Sequence, residues 1–333
     1  MFCFVLINKN KQKILDFVKF QKYQNNETIL LKPLLSRPAS NVMVLGHVGP
    51  VFLVFLYFFS VSVWLIVCRN NQDALDFLKS YSPRNHEATH LRILLIGPAG
   101  EGKSTFINSV DSVLQGRVAN RAPTDQHVTA DSFTKKVCIC FKQRLMNSIF
   151  CHYSFVINDI MGMERTKGVH VEDIKLALRG HVKDGYEFDP ENKLEEGDLG
   201  YNAAPELSER VHVVVTVVPA GVVSLLTSDM IAKLRDIRLA ATALEIPQLA
   251  ILTKVDDACP KAQKNVNNIY KSDYLKEQVY KFSQLLGLPV NSIFLVKNYS
   301  SEINTNDATD AHILCALKQM IVFGEDYLSH LND

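Results

Sequence analysis

Lys103 and Ser104 close the octapeptide Gly97-Pro98-Ala99-Gly100-Glu101-Gly102-Lys103-Ser104, which fits G-x-x-x-x-G-K-[ST]. These residue types at this spacing suit one task, the holding of a nucleotide triphosphate. A phosphate needs exposed backbone N–H groups, a positive helix end and no side-chain bulk, and glycines in a strand-to-helix turn supply all three. Gly97 and Gly102 keep such a loop open, and Gly100 and Thr105 join them as nucleotide contacts. Lys103 is placed to reach the outer phosphates, and Ser104 to put its hydroxyl on Mg²⁺. Glu101 is the odd member. A carboxylate aimed at phosphates is unfavourable, so its side chain is expected to point to solvent.

A second element, Asp159-Ile160-Met161-Gly162, follows the apolar stretch Tyr153–Asn158. A metal-facing aspartate belongs at the C-terminal edge of a strand. Downstream of a phosphate loop, D-x-x-G reads as a Mg²⁺-linked switch. Asp159 would hold the metal through water, and the Gly162 N–H would sense the γ-phosphate. The third element, Thr253-Lys254-Val255-Asp256, resembles the guanine-reading [NT]-K-x-D motif. Guanine shows donors at N1 and N2 where adenine does not, so a carboxylate, Asp256, is the right reader. The Lys254 stem would cover the face of the base. Asn298, just past the run Ile293–Val296, stands where such domains contact guanine O6. The metal-binding switch threonine must lie between the phosphate loop and Asp159. Thr134 is favoured, with Thr129 and Thr124 as alternatives, so the predicted metal set is Ser104, Thr134 and Asp159. Cys151-His152 and Cys259 invite a Cys–His mechanism, but neighbours on a strand face opposite ways and cannot pair directly.

These residues need a frame that turns strand ends toward one ligand. Arg92–Ile96 reads as a strand into the loop and Ser104–Leu114 as the helix out of it. Further strands are expected at Phe133–Phe141, Tyr153–Asn158, Val211–Val218, Gln248–Leu252 and Ile293–Val296. Helices are expected at Asn71–Tyr81, Val171–Arg179, Ser228–Ala243, Ser272–Leu286 and Ala311–Leu328. Unbroken apolar strands alternating with helices predict an α/β fold, P-loop GTPase-like, with a mostly parallel sheet and helices on both faces. The polar run Gly185–Leu207, rich in Pro, Gly and Glu, reads as a surface insertion.

The chain has 333 residues, 47% of them apolar and 21% charged, which are globular values. A net charge of +1 offers no basic face for nucleic acid. The seven cysteines, an odd number at irregular spacings, read as reduced thiols of a cytosolic protein rather than a disulfide or zinc framework. Four regions are expected: an unassigned stretch at 1–41, an apolar segment at 42–68, an amphipathic helix and linker at 69–90, and a guanine-nucleotide-binding domain at 91–333. Val51–Cys68 is about long enough to cross a bilayer. The basic residues before it would put the N-terminus in the cytosol and the phosphate loop on the wrong side. The reading is therefore cytoplasmic, with a membrane anchor through 51–68 as the alternative.

LRILLIGPAGEGKSTFINSV, NDIMGME, LALRGHVKDGYEF, LTKVDDACP, NIYKS and LLGLPVNSIFLVKNYSSE resemble the interferon-induced protein 44 and 44-like family over residues 70–333. The resemblance implies an interferon-inducible, GTP-binding, largely cytoplasmic protein linked to antiviral and antiproliferative responses. Two stretches depart from it. Residues 1–66 do not resemble the family, and 137–152 do not read as the expected strand–turn–strand. Both fit a divergent paralogue or a faulty gene model.

GTP or GDP with Mg²⁺ are thus the expected ligands. Efficient GTPases place a Gln after D-x-x-G to orient water and use an Arg on the transition state. Here Met163, Glu164 and Arg165 follow Gly162. Met163 cannot orient water, and Glu164 and Arg165 are weak catalytic candidates. The expectation is GTP binding with slow intrinsic hydrolysis, completed by self-association or a protein partner. Two readings compete: a nucleotide-independent scaffold or membrane-anchored immune protein, and an ATP-using P-loop protein, which Asp256 argues against.

Overall fold

Strand side chains alternate between two faces, and in this chain both faces are buried. Leu94, Ile96, Val214, Val218, Ala250 and Leu252 pack into one apolar core. Ile93, Leu95, Val213, Val215, Val217, Leu249 and Ile251 pack into another. A strand buried on both sides reads as a continuous apolar run, as VHVVVTVV does. The computed structural model describes residues 70–120, 139–144, 150–163 and 168–331.

Among the described residues six strands form the sheet: β1 (Leu91–Ile96), β2 (Ile139–Arg144), β3 (Phe150–Asp159), β4 (Val213–Pro219), β5 (Gln248–Thr253) and β6 (Ile293–Leu295). Their spatial order is β2-β3-β1-β4-β5-β6. β3, β1, β4, β5 and β6 run parallel, and β2 alone is antiparallel, against β3. The fold is α/β and P-loop GTPase-like. Helices α1 (Asn71–Ser80), α2 (Lys103–Gln115) and α8 (Asp307–His330) cover one face. Helices α3 (Val171–Leu178), α4 (Ser228–Ala243) and α7 (Asp273–Leu286) cover the other. Two short helices, α5 (Val255–Ala258) and α6 (Pro260–Lys264), follow β5.

Small local choices set these positions. A Cβ on Gly324 would come 2.5 Å from Leu91 Cδ1, so only glycine lets α8 lie this close over β1. That helix starts earlier than its apolar periodicity suggests, because the Asn306 side chain accepts the N–H groups of Ala308 and Thr309. α1 buries Ala74 and Leu78 in the same core as β1.

One expectation needs correction and another sharpens. Residues 139–144 and 150–159 do form antiparallel partners, Cys140 opposite Val156 and Gln143 opposite Cys151. The polar residues Lys142, Gln143 and Arg144 masked a strand that the apolar run before them begins. Gly185–Leu207 lies mostly at the surface, as expected of an insertion, but it is anchored to the core. Phe188 and Leu194 are buried in the core, Leu194 N–H donates to Asp173 Oδ1 at 3.0 Å, and Tyr201 stacks on His181. The composition is polar because the hydrogen bonds are, while two apolar anchors carry the packing.

The apolar segment 51–68 lies outside the described residues. Among the described residues no helix is long and apolar enough to cross a membrane.

Candidate nucleotide site

Open parallel sheets bind ligands at the carboxyl ends of their strands, where chain order reverses. β1 is flanked by β3 and β4, with the later strands continuing on the β4 side. The loop that leaves β1 therefore sits in that crevice. Gly97, Gly100 and Gly102 adopt φ of 150°, 71° and 94°, values that side-chain-bearing residues rarely reach. Gly97 also has no room, since a Cβ there would stand 2.2 Å from the Val217 carbonyl oxygen. Gly102 then caps α2, with its carbonyl accepting the Phe106 N–H at 2.8 Å.

A loop that offers N–H groups to an anion must send its carbonyls elsewhere. Here side chains from two other segments, and Lys103 of the loop itself, take them. Lys254 Nζ donates to Gly100 O at 2.9 Å, Thr253 Oγ1 to Glu101 O at 2.7 Å, and Asn298 Nδ2 to Gly102 O at 3.2 Å. Lys103 Nζ, on a side chain only 6% exposed, donates to Gly97 O at 3.1 Å and Pro98 O at 2.7 Å. The sequence motifs around 97, 253 and 298 thus converge on one loop. Lys254 holds φ of 51°, a left-handed value that turns its side chain toward that loop.

Ser104 and Asp159 meet at the exit of β3. Ser104 Oγ donates to Asp159 Oδ2 at 2.5 Å. Asp159 is 1% exposed, and its Oδ1 has no hydrogen-bond partner among the described residues. Burial raises the Asp159 carboxyl above its ordinary value, against the opposing pull of Lys103 and the Ser104 bond. A buried carboxylate with one orphaned oxygen, next to a hydroxyl, is a hard-oxygen donor set that fits Mg²⁺. Gly162 lies directly over the phosphate loop, where a Cβ would fall 2.4 Å from Ala99 N. The neighbouring Met163 N–H donates to Gly97 O at 3.2 Å, and its side chain is wholly buried in the core.

Glu101 departs from expectation. It is half-buried rather than directed to solvent, and burial raises its carboxyl while Lys254 and Lys103 lower it. The two ammonium groups that serve the loop also offset this charge. Thr105 is half-buried at the start of α2, and its carbonyl accepts the Ser109 hydroxyl at 2.8 Å. Thr124, Thr129, Thr134, Glu164 and Arg165 lie outside the described residues.

Sequence reasoning overlooked Lys297. Its Nζ lies 3.6 Å from Asp256 Oδ2 and 2.8 Å from Glu302 Oε1. A lysine next to a strand's end carries no motif signal. Only the meeting of the β5 and β6 loops brings it to Asp256.

Fold and site together define a P-loop nucleotide-binding protein of the GTPase-like class. No family model matches the chain. It is 31% identical over 256 residues to human interferon-induced protein 44-like, covering 76% of this chain and 56% of that protein. Mouse interferon-induced protein 44 is 28% identical over 263 residues, 78% of this chain and 61% of its own. Over this span the chain is similar to the interferon-induced protein 44 and 44-like family, consistent with the motifs in its sequence. It spans a little over half the length of these relatives. Among solved structures, an ADP-ribosylation-factor-like Sar1 GTPase from Encephalitozoon cuniculi with GDP overlaps at TM-score 0.34 and 14% identity, covering 84% of this chain and 94% of its own. A Sulfolobus solfataricus GTP-binding protein with GDP overlaps at TM-score 0.33 and 12% identity, covering 72% of this chain and 53% of its own. The fold assignment rests on strand order and the loop, not on these overlaps.

Proposed function

We propose that this protein binds Mg²⁺-GTP and GDP as a switch, hydrolyses GTP slowly, and acts in the interferon-induced antiviral response from the cytoplasm. One observation carries the guanine reading. Thr253 and Lys254 bond carbonyls of the phosphate loop, which supports placing Asp256, three and two residues on, within reach of a nucleotide held by that loop. Asp256 would accept the N1–H and N2–H of guanine. Lys103 and the loop N–H groups would hold the phosphates. Ser104 and Asp159 would hold Mg²⁺, which when bound neutralises charge between the outer phosphates.

Slow hydrolysis follows from Met163. The position after D-x-x-G is buried in the core, with its N–H committed to Gly97, and has no polar atom to orient water. The interferon-response setting rests on the family, and the nucleotide reading on the residues.

The test is competition between GTP and ATP for the full chain, with Asp256→Asn beside it. Wild type should prefer GTP by at least about 100-fold, and Asp256→Asn should lose GTP and gain xanthosine triphosphate. Each correct carboxylate–donor pair is worth about 1.5–3 kcal/mol. Preference for ATP, or unchanged base choice in Asp256→Asn, would sink the guanine reading. Single-turnover assays should show hydrolysis well below typical enzyme rates of about 10 per second.

A further inference from the structure

The carboxylate that reads the base does not stand alone. Asp256, Lys297 and Glu302 form an alternating acid–base–acid row, with side-chain exposures of 23%, 21% and 28%. None is open enough for the row to be dismissed as a solvated surface pair. Glu302 is anchored from its own side as well. Its Oε2 accepts the N–H groups of Ser300 at 2.9 Å and Ser301 at 3.1 Å. One carboxylate therefore folds the loop after β6 with one oxygen and holds Lys297 with the other. Burial works to raise the Glu302 carboxyl, but Lys297 and the backbone N–H groups outweigh it and bring it down to about 2. Glu302 is thus ionised throughout the physiological range.

The distances rank the two contacts. Lys297 sits at hydrogen-bond distance from Glu302 and about an ångström further from Asp256. It approaches Asp256 through Oδ2 and is kept from closing on it. Such an arrangement restrains a carboxylate without consuming it. Asp256 keeps lone pairs for a ligand, while the lysine beside Oδ2 limits its swing. Lys297 belongs to the same short stretch as Asn298, whose amide bonds Gly102. The restraint is therefore tied to the phosphate loop by one peptide unit.

We infer that Lys297, held by Glu302, is a positioning residue for base selection, orienting the Asp256 carboxylate so that it can take both donors of a guanine ring. This inference rests on the guanine reading above. A carboxylate that takes N1–H and N2–H together must lie in the plane of the base at a fixed angle. One that is free to swing keeps a single bond and loses the second. The quantity at stake is therefore discrimination at the 2-amino group, not affinity in general.

Inosine triphosphate supplies the probe, because it keeps the N1–H and O6 of guanine and lacks only the 2-amino group. Binding of GTP, inosine triphosphate and ATP is measured by calorimetry on the full chain for wild type, Lys297→Gln, Lys297→Arg and Glu302→Gln. Wild type should favour GTP over inosine triphosphate by about tenfold or more, the worth of one charge-assisted bond. Lys297→Gln should reduce that ratio to about two or less. Lys297→Arg, which reaches both carboxylates, should restore it. Glu302→Gln keeps one acceptor oxygen, enough for the backbone N–H groups, and loses the charge and the second oxygen that hold Lys297, so it should lower the ratio by about threefold and serves if Lys297→Gln does not fold. A lysine that only fastens the loop would weaken GTP and inosine triphosphate equally and leave the ratio unchanged, which overturns the inference. Wild type that does not separate GTP from ATP overturns the guanine reading instead, so the two failures are distinct.

Discussion

The two ends of β1 both bury polar groups, but they treat them differently. At its start, Arg92 is 4% exposed and fully engaged. Its guanidinium donates to Asp184 Oδ1 at 2.7 Å, Ser208 O at 3.0 Å and Asn158 Oδ1 at 3.3 Å. His212 closes the same cluster, accepting the Arg92 N–H at Nδ1 over 2.9 Å. At its exit, Asp159 Oδ1 and Asn298 Oδ1 are buried without a hydrogen-bond partner among the described residues. An unmade hydrogen bond in a protein interior costs about 1–3 kcal/mol, so folds rarely leave one without cause. The satisfied end holds the fold together, and the unsatisfied end is where the proposed nucleotide and metal would supply the missing partners.

Lys103→Ala should break that comparison hardest. Lys103 donates to the Gly97 and Pro98 carbonyls of the loop that would take the phosphates, so its loss should fall on ligand more than on fold. GTP affinity should drop by about a thousandfold, equivalent to two charge-assisted bonds, or about 4 kcal/mol. Isothermal titration calorimetry and thermal unfolding measured together decide this. A variant that loses its melting transition along with its ligand would show Lys103 to be structural.

Arg92→Met should give the reverse pattern. Removing one partner of a buried charge pair costs about 3–5 kcal/mol. Asp184 is 54% exposed and can turn to water, so the lower figure of about 3 kcal/mol applies. Urea unfolding reads that loss directly. Affinity of the folded fraction for GTP should change by less than about threefold, and a larger change would mean that the two ends of β1 communicate.

The two ends also differed in how well their sequence announced them. The exit is written in contiguous motifs, because a phosphate loop, D-x-x-G and T-K-x-D each need fixed residue types at fixed local spacing. Lys103, Ser104, Asp159, Thr253, Lys254 and Asn298 could all be named from sequence and are brought together by the fold. The sheet was legible for a similar reason: strands buried on both faces read as apolar runs. The start of β1 was not legible. Arg92, Asp184, Ser208 and His212 lie far apart in the chain and meet only through tertiary packing. Lys297 and Glu302 escaped notice in the same way, and Glu101 was misjudged because its lysine neighbours come from elsewhere in the chain or from the next turn. Local spacing carries chemistry that the backbone itself organises. It does not carry ion pairs made by loop against loop.

The finest test concerns pH, because the two ends should respond with opposite signs. His212 Nδ1 accepts an N–H, so the ring proton is on Nε2, which donates to Leu207 O over 2.9 Å. Burial, helped by the nearby charges of Arg92, His90 and Arg210, pulls the ring down to about 4, against the opposing Leu207 bond. In the unfolded chain it titrates near 6.5. Between those values the unfolded state binds the proton more readily, so stability falls as pH falls through that window. At pH 5 the loss is about 2 kcal/mol, at about 1.4 kcal/mol per pH unit. His212→Asn offers an acceptor to Arg92 and a donor to Leu207 without titrating. Wild type should therefore lose about 2 kcal/mol relative to His212→Asn when urea unfolding is repeated at pH 5 instead of pH 7. Asp159 runs the other way. Its carboxyl is raised by burial, so its contribution weakens as pH rises through the carboxylate range. Mg²⁺-GTP should cancel that second dependence and leave the first untouched, since the orphaned Asp159 oxygen that would take the metal lies at the exit of β1 and His212 at its start. A His212 difference that also vanished on adding nucleotide would erase the distinction between the two ends.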